Sequence, residues 1–368
     1  MNIGNTQAEL ILFFTLYGIT GVVTLLAALY LMLRRSNAIA PGVTPPLRLR
    51  RWASSFFAVA TLAHVWWLLF YIFSGDEHSV FYFVVVMLDC VLLFSTFAGM
   101  LLAMLQDRRR PVWPALVTMI PFVALWGAYI VYPSSLLEQI TAVYLVLLGL
   151  LFTVHMIFAI RQYGRWLNEN YADLENKKVW LCQVVALGSM LLFVLYVLAS
   201  DMVFIWFIHI ISLVLVGLLL WRVETLPQLD NMPTKEAEPS PSHPLTSSPS
   251  VIDLAQIESL LAEHCVDTQL YLQHDLTVQQ LAQAIGTNRL YLSQYFSRQG
   301  ITYNTYINNL RINHFIRRYQ ELTAAKQPVV AQQLSSESGY HSYSTFSLAF
   351  KQRTGQSVTA WIRDESAE

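Results

Sequence analysis

Two sets of residues in this 368-residue chain have types and spacing that could do chemistry. The first lies on the outward positions of two short helical repeats near the C-terminus. It comprises Arg289, Leu290, Ser293 and Gln294, then Tyr343, Ser344, Ser347 and Leu348, with Lys351 and Arg353 just beyond. Side chains of this mixture read base edges, while basic residues hold phosphates. The second set is ionisable and sits inside apolar stretches: His64, Asp89, His155 and His209. Such groups are expensive in hydrocarbon, so each is a functional candidate. Counting 1.5 Å per residue, His64, Asp89 and His209 lie at matching depth, roughly 12–14 Å from the outer ends of their segments. They would converge as a proton, metal or small-ligand site of a sensor; the plainer alternative is hydrogen-bonded glue within a helix bundle. Trp66, Trp67 and Tyr71 read as packing and interface anchors.

Other chemistries find no support. HExxH, paired catalytic aspartates and a Ser/His pattern are missing, so no enzyme is expected. The first lysine, Lys177, falls outside every apolar stretch, which removes a Schiff-base residue. Cys90, Cys182 and Cys265 show no C-x-x-C spacing and read as small buried hydrophobes, and no metal or cofactor is expected. The first apolar run is too long for the core of a cleavable signal peptide.

The elements that must position these residues follow from composition. Hydrophobic residues make up 55% of the chain and charged ones 13%, about half the roughly 25% of soluble domains. The apolar residues crowd into 10–224. Seven runs there can cross a ~30 Å hydrocarbon core: Leu10–Leu33, Trp52–Phe73, Val80–Leu105, Val112–Tyr132, Gln139–Ile160, Val179–Ala199 and Met202–Trp221. Each must be helical, because backbone in lipid has to satisfy itself. Thirteen basic residues fall on one side of these runs, among them Arg34, Arg50, Arg108, Arg165, Lys178 and Arg222, and none on the other. The excess of positive charge predicts an N-terminus outside and a C-terminus in the cytoplasm. The expected location is the cell's inner membrane.

Residues 226–250 hold a Pro/Ser-rich stretch that cannot bury enough apolar surface to order itself, so a disordered tether is expected. Periodicity returns over 251–368. Ile257, Leu260 and Leu261 mark an amphipathic helix. Thr277 and Gln280 form a capping box, Gly286 ends that helix, and Leu292 and Phe296 pair inward on the next. The pattern recurs with Leu334, Gly339, Ser342, Phe346 and Phe350. A helical stretch of about 20 residues between the repeats spans roughly 30 Å, near the ~34 Å of one DNA turn. From Leu276 to Arg363 nine basic residues stand against Glu321 and Glu337, which suits a polyanion.

At these residues the segment 276–363 resembles the AraC-type DNA-binding domain. The resemblance rests on Leu276-Thr277, Leu281-Ala282, Tyr291-Leu292-Ser293, Phe296, Tyr306-Ile307-Asn308 and Leu310-Arg311-Ile312. In the second repeat it rests on Gly339-Tyr340, Ser342, Ser344, Phe346, Phe350-Lys351, Gly355 and Trp361–Arg363. It covers about a quarter of the chain and both repeats. It implies an all-helical double helix-turn-helix that reads promoter DNA and usually activates transcription, with RNA polymerase as a partner. By family position Leu290, Ser293 and Gln294 would face base edges. Ser335 stands where alanine is usual, Val358 where proline is usual and Leu348 where polar residues are common, which predicts weaker base readout by the second repeat.

The fold expected is all-α: a seven-helix transmembrane sensor module (1–225), the linker (226–250) and a cytoplasmic double helix-turn-helix domain (251–368). The function expected is a membrane-tethered, sequence-specific transcription factor. Its partners would be double-stranded promoter DNA, membrane lipid, an unidentified signal ligand and a second copy of itself. The other reading is a transporter or channel with a regulatory DNA-binding tail.

Overall fold

The computed structural model describes residues 7–34, 37–76, 79–199, 202–229 and 254–365, and among these all regular secondary structure is helical apart from one isolated bridge. The chain forms two compact units. One holds Met1–Tyr163 and Asn176–Thr234; the other holds Gly164–Glu175 and Lys235–Glu368. The twelve residues 164–175 thus group with the C-terminal unit, which the boundary expected at 225 did not anticipate.

The N-terminal unit consists of long apolar helices: α1 (Gln7–Leu33), α2 (Leu47–Phe73), α3 (Val80–Ala103), α4 (Trp113–Val131), α5 (Ser135–Asn170), α6 (Trp180–Ala199) and α7 (Met202–Thr225). Six helices among the described residues are long and apolar enough to cross a membrane; the described apolar part of α6, Trp180–Leu191, is shorter. Their outward faces carry exposed Leu26, Met32, Val143 and Leu151, which lipid accepts and water does not. Small residues let the helices approach closely. Ala27 and Ala28 of α1 and Ala53 of α2 are buried, and Gly99 of α3 lies so close against the Trp52 ring that a Cβ would overlap it.

Three helices depart from the simple rods expected. α3 widens into a π turn over Asp89–Leu93, a feature frequent at functional sites. α4 is interrupted between Val117 and Ile120, just before Pro121; a proline cannot donate the backbone bond an unbroken helix needs. α5 runs for 36 residues, about 54 Å at 1.5 Å per residue, so it outlasts a ~30 Å core and the end expected at Ile160. The first residues of the expected tether are also fixed. Gln228 N donates to Thr44 O, Leu229 N to Gln106 Oε1, and Gln106 Nε2 to Pro227 O. The rest of that tether, 230–250, lies outside the described residues.

The C-terminal unit contains α8 (Leu254–Leu261), α9 (Val278–Ala284), α10 (Arg289–Arg298), α11 (Tyr303–Ala324), α12 (Ala331–Glu337), α13 (Tyr343–Thr354) and α14 (Val358–Glu365). Four of its helices start on a side-chain cap, those at Thr277 and Ser342 as the sequence predicts. Thr277 and Gln280 complete the capping box of α9, Asn288 caps α10, Thr302 caps α11 and Ser342 caps α13. Around α11 the second repeat packs Phe315, Leu334, Phe346, Phe350 and Val358 into one core, with the Phe315 and Phe346 ring centroids 4.4 Å apart. Two of the departures from the family pattern are absorbed here. Val358 fills that core, and the buried Ser335 donates its hydroxyl to Gln332 O.

Candidate DNA-binding surface and membrane cavity

Each repeat of the C-terminal unit is a helix, a glycine turn and a second helix. Gly286 turns the first at φ 72° and Gly339 the second at φ 90°. Gly339 is doubly constrained: a Cβ there would lie 2.8 Å from Leu272 O and 2.9 Å from Arg311 Nε. The inward pairs Leu292/Phe296 and Phe346/Phe350 are buried, which fixes the opposite faces of α10 and α13 as outward. Between the repeats α11 has 22 residues, or about 33 Å, close to one DNA turn.

On α10, Leu290 and Gln294 are exposed, while Ser293 and Arg289 are half-buried. Burial pulls the Arg289 guanidinium below its ordinary pKa, opposed by the charges of Glu169 and Tyr171. On α13, Ser344 and Leu348 are exposed and Tyr343 and Ser347 half-buried. Leu290 is 57% exposed and Leu348 53%, so both offer apolar surface that would suit a thymine methyl. Lys351 and Arg353 are exposed in the last turns of α13, and Arg353 Nη2 donates to Asn313 Oδ1.

Not all the local positive charge is available to a ligand. Arg311 is buried, donating from Nε to Tyr271 O (2.7 Å) and from Nη2 to Gln273 O (2.8 Å), with its guanidinium 5.4 Å from the Tyr340 ring. It holds the structure together rather than facing solvent. Arg318 is paired with Glu321 at 2.7 Å. A count of charges along the sequence could not separate these from Lys351 and Arg353, because burial depends on tertiary packing.

A further cluster was not foreseen. The carboxylates of Asp173 and Asp275 and the imidazole of His341 bring three ligand atoms within 4.8 Å of one another, and the His274 ring stacks on His341 at 4.5 Å. Their donor types are those a divalent cation takes. In the sequence Asp173 lies about a hundred residues from Asp275, with no spacing that links them.

Within the N-terminal unit His64, Asp89 and His209 line one cavity of about 360 Å³, together with Tyr17, Trp67 and Cys90. The His64 and His209 ring centroids are 6.1 Å apart, and the Tyr17 ring lies 4.8 Å from the first and 5.7 Å from the second. Asp89 bonds to neither histidine. Trp66 Nε1 donates to one of its oxygens at 2.8 Å and Trp67 Nε1 to the other, so the two indoles hold a carboxylate as well as packing. A buried indole N–H and a buried carboxylate each require a partner, and that requirement is the signal the sequence carried. His64 Nδ1 lies 2.7 Å from Ala60 O and must donate to it, leaving Nε2 an acceptor in the neutral ring. That Nε2 is buried without a hydrogen-bond partner. His155 of α5 is exposed and lies off the cavity.

A duplicated helix–turn–helix, its outward faces mixed and basic, joined by a helix one DNA turn long, is a double-stranded DNA reader, and the chain that carries it is a DNA-binding transcription regulator. Residues 281–364 match the family model described as "Helix-turn-helix domain", and this region is an AraC-type helix-turn-helix domain. No curated protein and no solved structure matches the chain.

Proposed function

We propose that the chain is a membrane-tethered transcription activator whose seven-span module senses a signal and whose domain 251–368 binds promoter DNA in the cytoplasm. The observation that carries this reading is the union, in one chain, of an AraC-type helix-turn-helix domain with six helices of membrane-crossing length. The one-sided distribution of thirteen basic residues supports an outside N-terminus and α6 as the seventh span. Arg289, Leu290, Ser293 and Gln294 read one half-site, Tyr343, Ser344, Ser347 and Leu348 read the other, and Lys351 and Arg353 hold phosphates. RNA polymerase and a second copy of the chain are the protein partners of this reading.

The sensor in this reading is the cavity around His64, Asp89 and His209. Its lining is mostly apolar, with an unpartnered acceptor at His64 Nε2. A small lipophilic molecule bearing one hydrogen-bond donor, or a proton, suits that chemistry. Signalling requires that the ligand bind two packings of the bundle unequally. A transporter would need interrupted helices in corresponding positions of two halves; among the described residues α4 has such a break and no partner helix matches it.

Topology and sensing are tested together. Reporter fusions after residues 76, 109, 136, 170 and 230 should alternate between outside and cytoplasm, and two adjacent fusions in one compartment would break the seven-span arrangement. His209→Ala and Asp89→Asn should fix reporter transcription on or off with normal membrane insertion. Mutants that respond to every inducing condition like the parent would make the cavity cluster structural.

A further inference from the structure

The segment 164–175 reads GRWLNENYADLE and carries Glu169, Asp173 and Glu175. It is seated on the DNA-binding unit at the starts of its helices. Ala172 N donates to Leu276 O at 3.1 Å, and Tyr171 forms an antiparallel bridge with Thr277, the cap of α9. Asn304, at the start of α11, donates through Nδ2 to Ala172 O at 2.6 Å and Tyr171 O at 3.2 Å. Glu175 Oε2 accepts from Ser342 Oγ at 2.6 Å and from Thr345 Oγ1 at 2.9 Å, at the N-terminus of α13. The charge of Glu169 acts on Arg289, the first residue of α10. One short acidic segment therefore bonds to the leading end of α13 and acts by charge on the leading end of α10.

Those ends are where a duplex would put its negative charge. Helix N-termini, with free N–H groups and a positive dipole end, attract anions, and hydroxyls beside them donate to phosphate oxygens. Glu175 makes on Ser342 and Thr345 the bonds that a phosphate would make. We propose that residues 164–175 are a built-in competitor of DNA: a carboxylate-bearing plug that occupies the anion positions of both repeats and must leave before the domain closes on a duplex. The inference rests on the DNA-binding reading of this unit. The plug begins within the last turns of α5, the helix that also carries Leu145, Leu148 and Gly149 of the cavity lining.

The test uses the full chain in lipid nanodiscs and a fluorescent random-sequence DNA duplex at low salt. Glu169→Gln/Asp173→Asn/Glu175→Gln should bind the duplex more tightly than the parent by on the order of tenfold, within the range of intramolecular couplings. The control Glu258→Gln/Glu263→Gln/Asp364→Asn removes the same charge from exposed positions elsewhere on the unit, and should gain less than a third of that. Tyr171→Cys/Thr277→Cys should form a disulfide across the bridge, where side chains of an antiparallel pair lie close. Oxidised, it should lose at least tenfold in duplex affinity, and reduction should restore it. Equal binding by oxidised and reduced protein, or equal gains in the two triple variants, would overturn the plug while leaving DNA binding intact. Failure of every variant, reduced protein included, to bind the duplex would overturn both readings.

Discussion

The two units differ in what their polar links hold. In the membrane module many hydroxyls turn back onto their own helices, as Thr20 does to Leu16 O and Thr141 to Leu137 O, while others cross between helices, as Tyr17 Oη does to His64 O and Thr61 Oγ1 to Thr24 Oγ1. In the DNA-binding unit, buried polar groups tie distant elements together. Arg311 reaches Tyr271 and Gln273, and Tyr303 OH donates to Leu276 O. In hydrocarbon no water competes, so a hydroxyl bonded within its own helix is already satisfied and leaves close packing there to shape. In the DNA-binding unit a long-range buried hydrogen bond constrains the packing, since breaking it strands a desolvated partner. Among the cross-helix polar links of the membrane module, which include Trp126 Nε1 to Phe83 O and Gln183 Nε2 to Leu101 O, that of Asp89 with Trp66 and Trp67 lies on the wall of the cavity.

Two glycines set shape against polar linkage most directly. Gly339→Ala places a Cβ in a left-handed backbone conformation and against Leu272 O and Arg311 Nε, so it disturbs the polar link itself. Backbone strain and overpacking together should cost about 3 kcal/mol in urea unfolding of the fragment 251–368. Gly99→Ala meets only the Trp52 ring, and should cost about 1–2 kcal/mol in thermal unfolding of the membrane protein as that ring repacks. If Gly99→Ala costs more than Gly339→Ala, shape rather than polar linkage is the stricter constraint, and the contrast fails.

What the sequence disclosed follows the same division. Capping boxes, glycine turns and i, i+4 apolar pairs are local, so Thr277, Gly286, Ser342 and Phe346 announced the DNA-binding fold directly. Hydropathy is local too, and apart from the C-terminal end of α5 it placed the long helices within about five residues. The π turn at Asp89, the extension of α5 to Asn170, the burial of Arg311 and the docking of residues 164–175 depend on partners far along the chain, and no spacing encodes them. The convergence of His64, Asp89 and His209 on one cavity could be framed from depth alone; that Asp89 needs donors was legible too, but that Trp66 and Trp67 are those donors depends on how two helices pack.

The next effect concerns readout within the DNA-binding unit. Gln294→Ala should relax base preference in one half-site by ~1–3 kcal/mol, whereas Lys351→Ala should weaken all duplexes alike and reduce the salt slope by about one. Exposed Leu348 at the position matching Gln294 offers apolar contact without hydrogen bonds, so substituting the second recognition helix should blur preference less. Selection of binding sites from a random pool by each variant measures this. Equal loss of preference from either helix would show that both repeats read bases to the same degree.

The smallest effect is a pH slope, and it belongs to a buried polar link of the DNA-binding unit. His314 of α11 is buried, with Tyr271 Oη and Arg317 Nη2 each 3.3 Å from its Nδ1. Burial, and then the charges of Arg317 and Arg318, hold its pKa below the ordinary histidine value. The unfolded chain, at about 6.5, therefore takes up this proton before the folded one does. Stability from His314 is fully present above that pH and drains as the pH falls toward the lower folded value, below which no further loss occurs. Urea unfolding of the fragment 251–368 at about pH 7.5 and about pH 5 should show a larger loss for the parent than for His314→Gln, which has no titrating ring. Carboxylates contribute equally to both proteins and cancel in the difference. Identical losses would mean that His314 is as free to protonate in the folded unit as in the unfolded chain, and that its hydrogen bond to Tyr271 contributes no stability that depends on the neutral ring.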